Sequence, residues 1–170
     1  DETYASCFEV YDGSISTFPT WGVPPYDFDW TGPNGFVSTD QNLSNLLAGL
    51  YTLILADDNG CDQTFDITIT EPTDISVAET LTDVSCFDGS DGEITLLVSG
   101  ASPDYDFSWS GPSGFTSSLQ DISGLEAGDY DLQITDANDC VFNFSYTIDE
   151  PDAIVLLRLQ IKFYVQENSL

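Results

Sequence analysis

Apolar and polar residues alternate along most of this chain. Tyr105, Phe107 and Trp109 alternate with Asp106 and Ser108, and Tyr130, Leu132 and Ile134 alternate with Asp131 and Gln133. A period of two puts one set of side chains on one face of a strand and the other set on the opposite face. The same pattern predicts strands at Ile75–Leu81 and Glu93–Ser99, and short ones after Phe115 and around Ile122–Leu125. A last strand spans Val141–Ile148, with Phe142, Phe144, Tyr146 and Ile148 on one face. Turn-forming clusters separate them: Asp83–Asp91, Gly100–Asp104, Gly111–Gly114 and Asp136–Asp139. Short strands divided by turns every ~8–12 residues, with no stretch of helical periodicity, predict an antiparallel β-sandwich. Trp30 and Trp109, on the third strand of each pattern, are expected in the core, where such sandwiches place their largest ring.

The pattern is written twice. Cys7–Pro72 aligns with Cys86–Pro151 at a spacing of 79 residues, without a gap, and 30 of the 66 positions are identical. The division expected is a first repeat over 1–72, a second over 73–152, and a C-terminal strand over 153–170. Tandem small modules build length, so an extended, non-enzymatic protein is the first expectation.

Composition narrows the partners. The chain has 30 Asp and Glu against two bases, Arg158 and Lys162, and a formal net charge of −28. Such a field repels nucleic acid and anionic membranes, attracts cations, and keeps a long polymer soluble. No run of about 20 apolar residues is present, so no membrane insertion is expected. There is no histidine, and neither repeat holds a lysine or arginine. An activated Ser or Cys nucleophile would therefore lack its usual base, and no catalytic residue is assigned.

Each small repeat is marginal on burial alone. Cys7 and Cys61 in the first, and Cys86 and Cys140 in the second, read as disulfide staples in an oxidising compartment. Pairing within repeats, Cys7–Cys61 and Cys86–Cys140, is expected because each repeat must fold as a unit. Strict alternation of seven strands argues otherwise. It sets the members of each pair at opposite poles, and would bring Cys7 near Cys140.

Cys7-Phe8 with Asp12-Gly13 and Ile15, Tyr26-Asp-Phe28 with Trp30, Gly32-Pro33 with Gly35-Phe36, Ala48-Gly49 with Tyr51, Asp57 with Asn59 and Cys61, and Glu71-Pro72 all recur in the second copy. This set of motifs resembles the SprB-type repeat of large surface adhesins in gliding Bacteroidetes, exported by the type IX secretion system. The resemblance spans roughly residues 7–151. It implies immunoglobulin-like (PKD-like) sandwiches strung in tandem outside the cell, serving adhesion or motility, with no enzymatic activity. It hands over no ligand site.

Two features carry candidate chemistry. Asp12, Asp57, Asp58 and Asn59 in the first repeat, and Asp91, Glu93, Asp136, Asn138 and Asp139 in the second, sit in turn-rich loops that offer oxygen ligands to Ca2+. The same residue types are ordinary turn formers. The other feature is the tail. Val155, Leu157, Leu159, Ile161, Phe163 and Val165 alternate with polar or basic residues over most of their length. Copy one meanwhile has only six residues before its first Cys, where copy two has 13 after Pro72. An apolar strand with a free edge recruits partners. The tail is thus the opening strand of a third repeat in a longer chain, a donor strand completing the first domain of another copy head to tail, or an anchoring segment. The functional expectation is an extracellular structural or adhesive repeat protein, its partners copies of itself or neighbouring repeats, with surface polysaccharide as a further partner. A calcium-dependent carbohydrate-binding module of a secreted enzyme is the alternative, and burial of Trp30, Trp109, Tyr26 and Tyr105 would count against it.

Overall fold

The structure, a computed structural model, describes residues 2–156. The first repeat contributes β1 (Glu2–Thr3), β2 (Gly13–Ile15), β3 (Tyr26–Thr31), β4 (Val37–Ser38), β5 (Leu43–Leu46), β6 (Gly49–Asp57) and β7 (Asp62–Ile69). The second contributes β8 (Ser76–Thr82), β9 (Gly92–Ser99), β10 (Asp106–Ser110), β11 (Thr116–Ser117), β12 (Ile122–Leu125), β13 (Gly128–Thr135) and β14 (Val141–Ile148). In each, a three-stranded sheet faces a four-stranded one. The orders are β1-β2-β5 with β4-β3-β6-β7, and β8-β9-β12 with β11-β10-β13-β14. Every pairing is antiparallel. This is an immunoglobulin-like sandwich, built twice.

Alternation makes the cores. Inward residues of β3, β6 and β7, and of β10, β13 and β14, contribute to two separate clusters, one around Trp30, Tyr51, Leu53 and Ile69, the other around Trp109, Tyr130, Leu132, Ile134 and Ile148. Both tryptophans are buried. Each indole N–H still finds a carbonyl, Asp40 O for Trp30 and Leu119 O for Trp109, at 2.9 Å, so burial leaves no polar group without a partner. Tyr26 and Tyr105 are half-buried.

A second hallmark of such sandwiches is a tyrosine at the start of the sixth strand that bonds back to the chain just upstream. Tyr130 OH donates to Glu126 O and Tyr51 OH to Leu47 O, both at 3.0 Å. Phe115 and Phe36 meet these rings edge-on at 5.4 Å, the favoured geometry for an aromatic pair. The glycines around the corner are steric necessities. A Cβ on Gly111 would lie 2.5 Å from the Tyr130 ring, and one on Gly128, whose φ is +142°, would lie 2.6 Å from Pro112.

The copies differ at their first strand. β8 pairs with β9 from Ser76↔Ser99 to Thr82↔Glu93. β1 pairs with β2 only at Glu2↔Ile15 and Thr3↔Ser14. β2 accordingly stops at Ile15, whereas its counterpart β9 runs on to Ser99.

Candidate functional site

Beyond the two residues of β1, the stretch that β8 occupies in the second sandwich is open in the first. A groove of about 710 Å³ lies there, lined by Phe18, Trp21, Leu55, Cys61, Phe65 and Ile67 among others. In the second sandwich Ile75, just before β8, and Val77, near its start, pack against the core. Without their equivalents, Phe65 is 45% exposed, while its counterpart Phe144 is half-buried. Trp21 is 90% exposed at the groove. Its counterpart is Gly100, where a Cβ would stand 2.1 Å from the carbonyl oxygen of Asp74 in the incoming linker.

Each sandwich carries one loop system at each pole. At one pole, Ser6 donates its N–H (3.0 Å) and its hydroxyl to the Asp12 carboxylate, and Ser85 does the same to Asp91 at 2.9 and 2.6 Å. The serine hydroxyl first, then its amide, holds both carboxyls below their ordinary range. Glu71, from the terminal Glu-Pro pair, accepts the Glu9 amide at 2.7 Å, and Glu150 accepts that of Asp88 at 2.7 Å. These bonds frame the turns that hold Cys7 and Cys86.

At the other pole an aspartate cradles the turn between the last two strands. Asp57 accepts the amides of Asn59 (3.0 Å), Cys61 (2.9 Å) and Val23 (3.1 Å). Asp136 accepts those of Asn138 (2.9 Å), Cys140 (2.9 Å) and Ser102 (3.0 Å). The Cys61 N–H first, then that of Val23, lowers the pKa of Asp57.

The disulfide joins the two sandwiches. Cys7 is bonded to Cys140, with Cα atoms 5.9 Å apart, and Cys61 and Cys86 are free and exposed. This corrects the expected pairing of Cys7 with Cys61 and of Cys86 with Cys140. The reason is topological. Cys7 precedes the second strand and Cys61 follows the sixth, and because successive strands alternate in direction these turns lie at opposite poles. A relaxed disulfide needs Cα atoms within about 7 Å. The far pole of the first sandwich meets the near pole of the second, so Cys7 reaches Cys140. The Asn138 side-chain amide seals the joint by donating to Ser6 O at 2.8 Å.

The carboxylates assigned to calcium are spread over these loops. Asp12, Asp57, Asp91 and Asp136 are engaged by backbone amides or serine hydroxyls, as above. Asp58 and Asp139 are exposed turn residues, Asp139 with φ +63°. Glu93 is exposed on β9. Asn59 and Asn138 flank the cysteines of the second pole. Among the described residues, no three such side chains form a group that could hold a metal. Of the tail residues expected to donate a strand, Val155 is described and exposed, as are its neighbours Ile154 and Leu156. Leu157, Leu159, Ile161, Phe163 and Val165 lie outside the described residues. The sequence reading missed the tyrosine corner and the Glu71 and Glu150 braces. Their signals, the repeated Ala-Gly-x-Tyr and Glu-Pro, were in plain view.

The fold and poles thus define a tandem of immunoglobulin-like sandwiches. The SprB repeat family matches residues 78–114. SprB repeats occur in surface proteins, and the matched segment lies within the second sandwich. Among solved structures, the amphioxus IgVJ-C2 molecule is similar, at 12% identity and a TM-score of 0.39, over 83% of this chain and 97% of that one. Murine CEACAM1b is similar at 14% identity and a TM-score of 0.34, over 85% and 95%. A Dscam isoform structure is similar at 15% identity and a TM-score of 0.35, over 85% of this chain and 42% of that one, so this chain spans less than half of its length. No curated protein matches. Among the described residues, no helix is long and apolar enough to cross a membrane.

Proposed function

We propose that this chain is an extracellular structural and adhesive repeat protein whose copies join head to tail. The open groove of the first sandwich takes the C-terminal segment of another copy as an added strand. The observation that carries this reading is the groove itself, which stands where the second sandwich is closed by β8. Strand addition supplies main-chain hydrogen bonds along a sheet edge and seats alternate side chains in the gap. The approach is prefigured within the chain. Pro72-Thr73-Asp74-Ile75 leads into β8, and Pro151-Asp152-Ala153-Ile154 repeats that opening with Ile154, Val155 and Leu156 exposed. The joint would be heterologous, with the far pole of one copy on the near pole of the next, and contacts of that kind generate open filaments unless the rotation closes a ring. Arg158 and Lys162, the only bases of the chain, would travel with the tail onto an acidic neighbour. Electron microscopy of the intact chain should show filaments, and deletion of residues 153–170 should leave monomers. Filaments of undiminished length from the deleted chain would sink the reading.

A further inference from the structure

The two free thiols are the counterparts of the two that are bonded. Cys86 stands in the second sandwich where Cys7 stands in the first, and Cys61 stands in the first where Cys140 stands in the second. The match extends to their surroundings. The Cys86 turn is closed by Gly89 N–H to Cys86 O at 2.9 Å, as the Cys7 turn is by Val10 N–H to Cys7 O at 3.4 Å. Glu9 and Asp88 share the left-handed conformation at φ +55° and +54°. The Cys61 amide is held at 2.9 Å by Asp57, as that of Cys140 is by Asp136. Asn59, the counterpart of Asn138, is in place to donate its side-chain amide to a carbonyl equivalent to Ser6 O, which is that of Ser85.

We propose that Cys86 of one copy forms a disulfide with Cys61 of the next copy of this chain. Every chain-to-chain joint then repeats the bond that Cys7 and Cys140 make inside the chain. The proposal rests on the head-to-tail reading and deepens it, because it states which atoms lock the joint. Cys61 also lines the groove that takes the added strand, so strand and staple meet at one pole. The direction agrees as well. The linker after Pro72 leads the chain into the sandwich whose Cys140 bonds back to Cys7, and the segment after Pro151 would lead into a sandwich whose Cys61 bonds back to Cys86. The bond has a physical task. Each copy carries a net charge of −28, and an end-to-end contact between two such bodies is opposed by their mutual repulsion. A covalent link holds whatever the ionic strength.

The chemistry needs an oxidant of the disulfide class. A Cys86 thiolate attacks one sulfur of the oxidant and expels a thiolate. The Cys61 thiolate of the neighbour then attacks the Cys86 sulfur of the mixed disulfide and expels the second. Two thiols have lost two protons and two electrons, and the oxidant has become two thiols.

The test uses the full chain with Cys7–Cys140 formed, concentrated and treated with oxidised glutathione. A non-reducing gel is expected to show a ladder at multiples of 18.5 kDa that collapses to one band on reduction. Peptide mapping should recover Cys86 linked to Cys61. Cys61→Ser or Cys86→Ser, each at an exposed position, should abolish that ladder. Mixing the two variants should give dimer and nothing larger, since each retains one end. Links of Cys61 to Cys61 or Cys86 to Cys86, a Cys61–Cys86 bond within one chain, or no ladder at all would overturn the staple. Filaments from reduced protein that never cross-link would leave strand donation standing and remove the staple. Cys86–Cys61 links formed equally well by chains lacking residues 153–170 would support the staple and remove strand donation.

Discussion

The two sandwiches share their motif residues, their paired sheets and their buried tryptophans, yet one is closed and the other is open. Ile134 is fully buried where Leu55 is half-buried, and Phe144 is half-buried where Phe65 is exposed. None of this comes from different core chemistry, because the inward residues of β3 and β6 match those of β10 and β13 in kind. It comes from one strand: seven residues in β8, two in β1. A sandwich of this size is marginal, so the strand that covers one edge of the core adds burial that the rest of the domain lacks.

The sharpest way to break the comparison is to weaken both cores equally. Trp30→Ala and Trp109→Ala each remove a buried indole, at a cost of about 3–5 kcal/mol. The second sandwich should keep a cooperative transition at lowered Tm. The first, with less in reserve, should lose its native fold at room temperature. Hydrogen exchange resolved by domain measures both, and equal losses of protection would erase the distinction.

A smaller change should convert the closed sandwich into a copy of the open one. Ile75→Ser with Val77→Ser withdraws the side chains that β8 packs against the core. Two half-buried aliphatic side chains are worth about 2–4 kcal/mol together. The second sandwich should then melt close to the first and bind an apolar dye along its β14 face. An unchanged Tm would mean that main-chain pairing with β9, rather than side-chain burial, closes that edge.

The smallest effect expected is that of acid on the poles. Asp12, Asp57 and Asp91 have carboxyl pKa values below the ordinary 3.8. A depressed folded-state value means that the ionised form is the one the fold stabilises. That contribution is complete above the ordinary value and fades as pH falls below it toward the depressed one. Amides of Ser6, Ser85 and Cys61, corrected for intrinsic rates, should lose protection below about pH 4, before the strand amides do. Simultaneous loss at poles and strands would show that the loops have no local stability of their own.

Much of this was legible in the chain. The five longer strands of the second sandwich follow from two-residue periodicity and its two short ones from the turns that bound them, and Trp30 and Trp109 lie in the core as their place on the third strand requires. The disulfide did not follow in the same way. Autonomy of each repeat favoured Cys7 with Cys61, and strand alternation favoured Cys7 with Cys140. Spacing along a chain does not weigh these against each other, because both pairings use the same residues at the same separations from their strands. Nor did alternation reveal that Trp21, in a loop with no periodic signal, stands exposed at the groove.

What the sequence by itself determined is the repeat, the period of each strand and the residues that face inward, since these depend only on local geometry and on the cost of exposing apolar surface. What only the tertiary structure decided is which poles meet. That choice makes Cys7 and Cys140 partners and leaves Cys61 and Cys86 as free, exposed thiols. Contact between poles depends on the direction in which whole domains stack, and no residue's own neighbourhood carries that information.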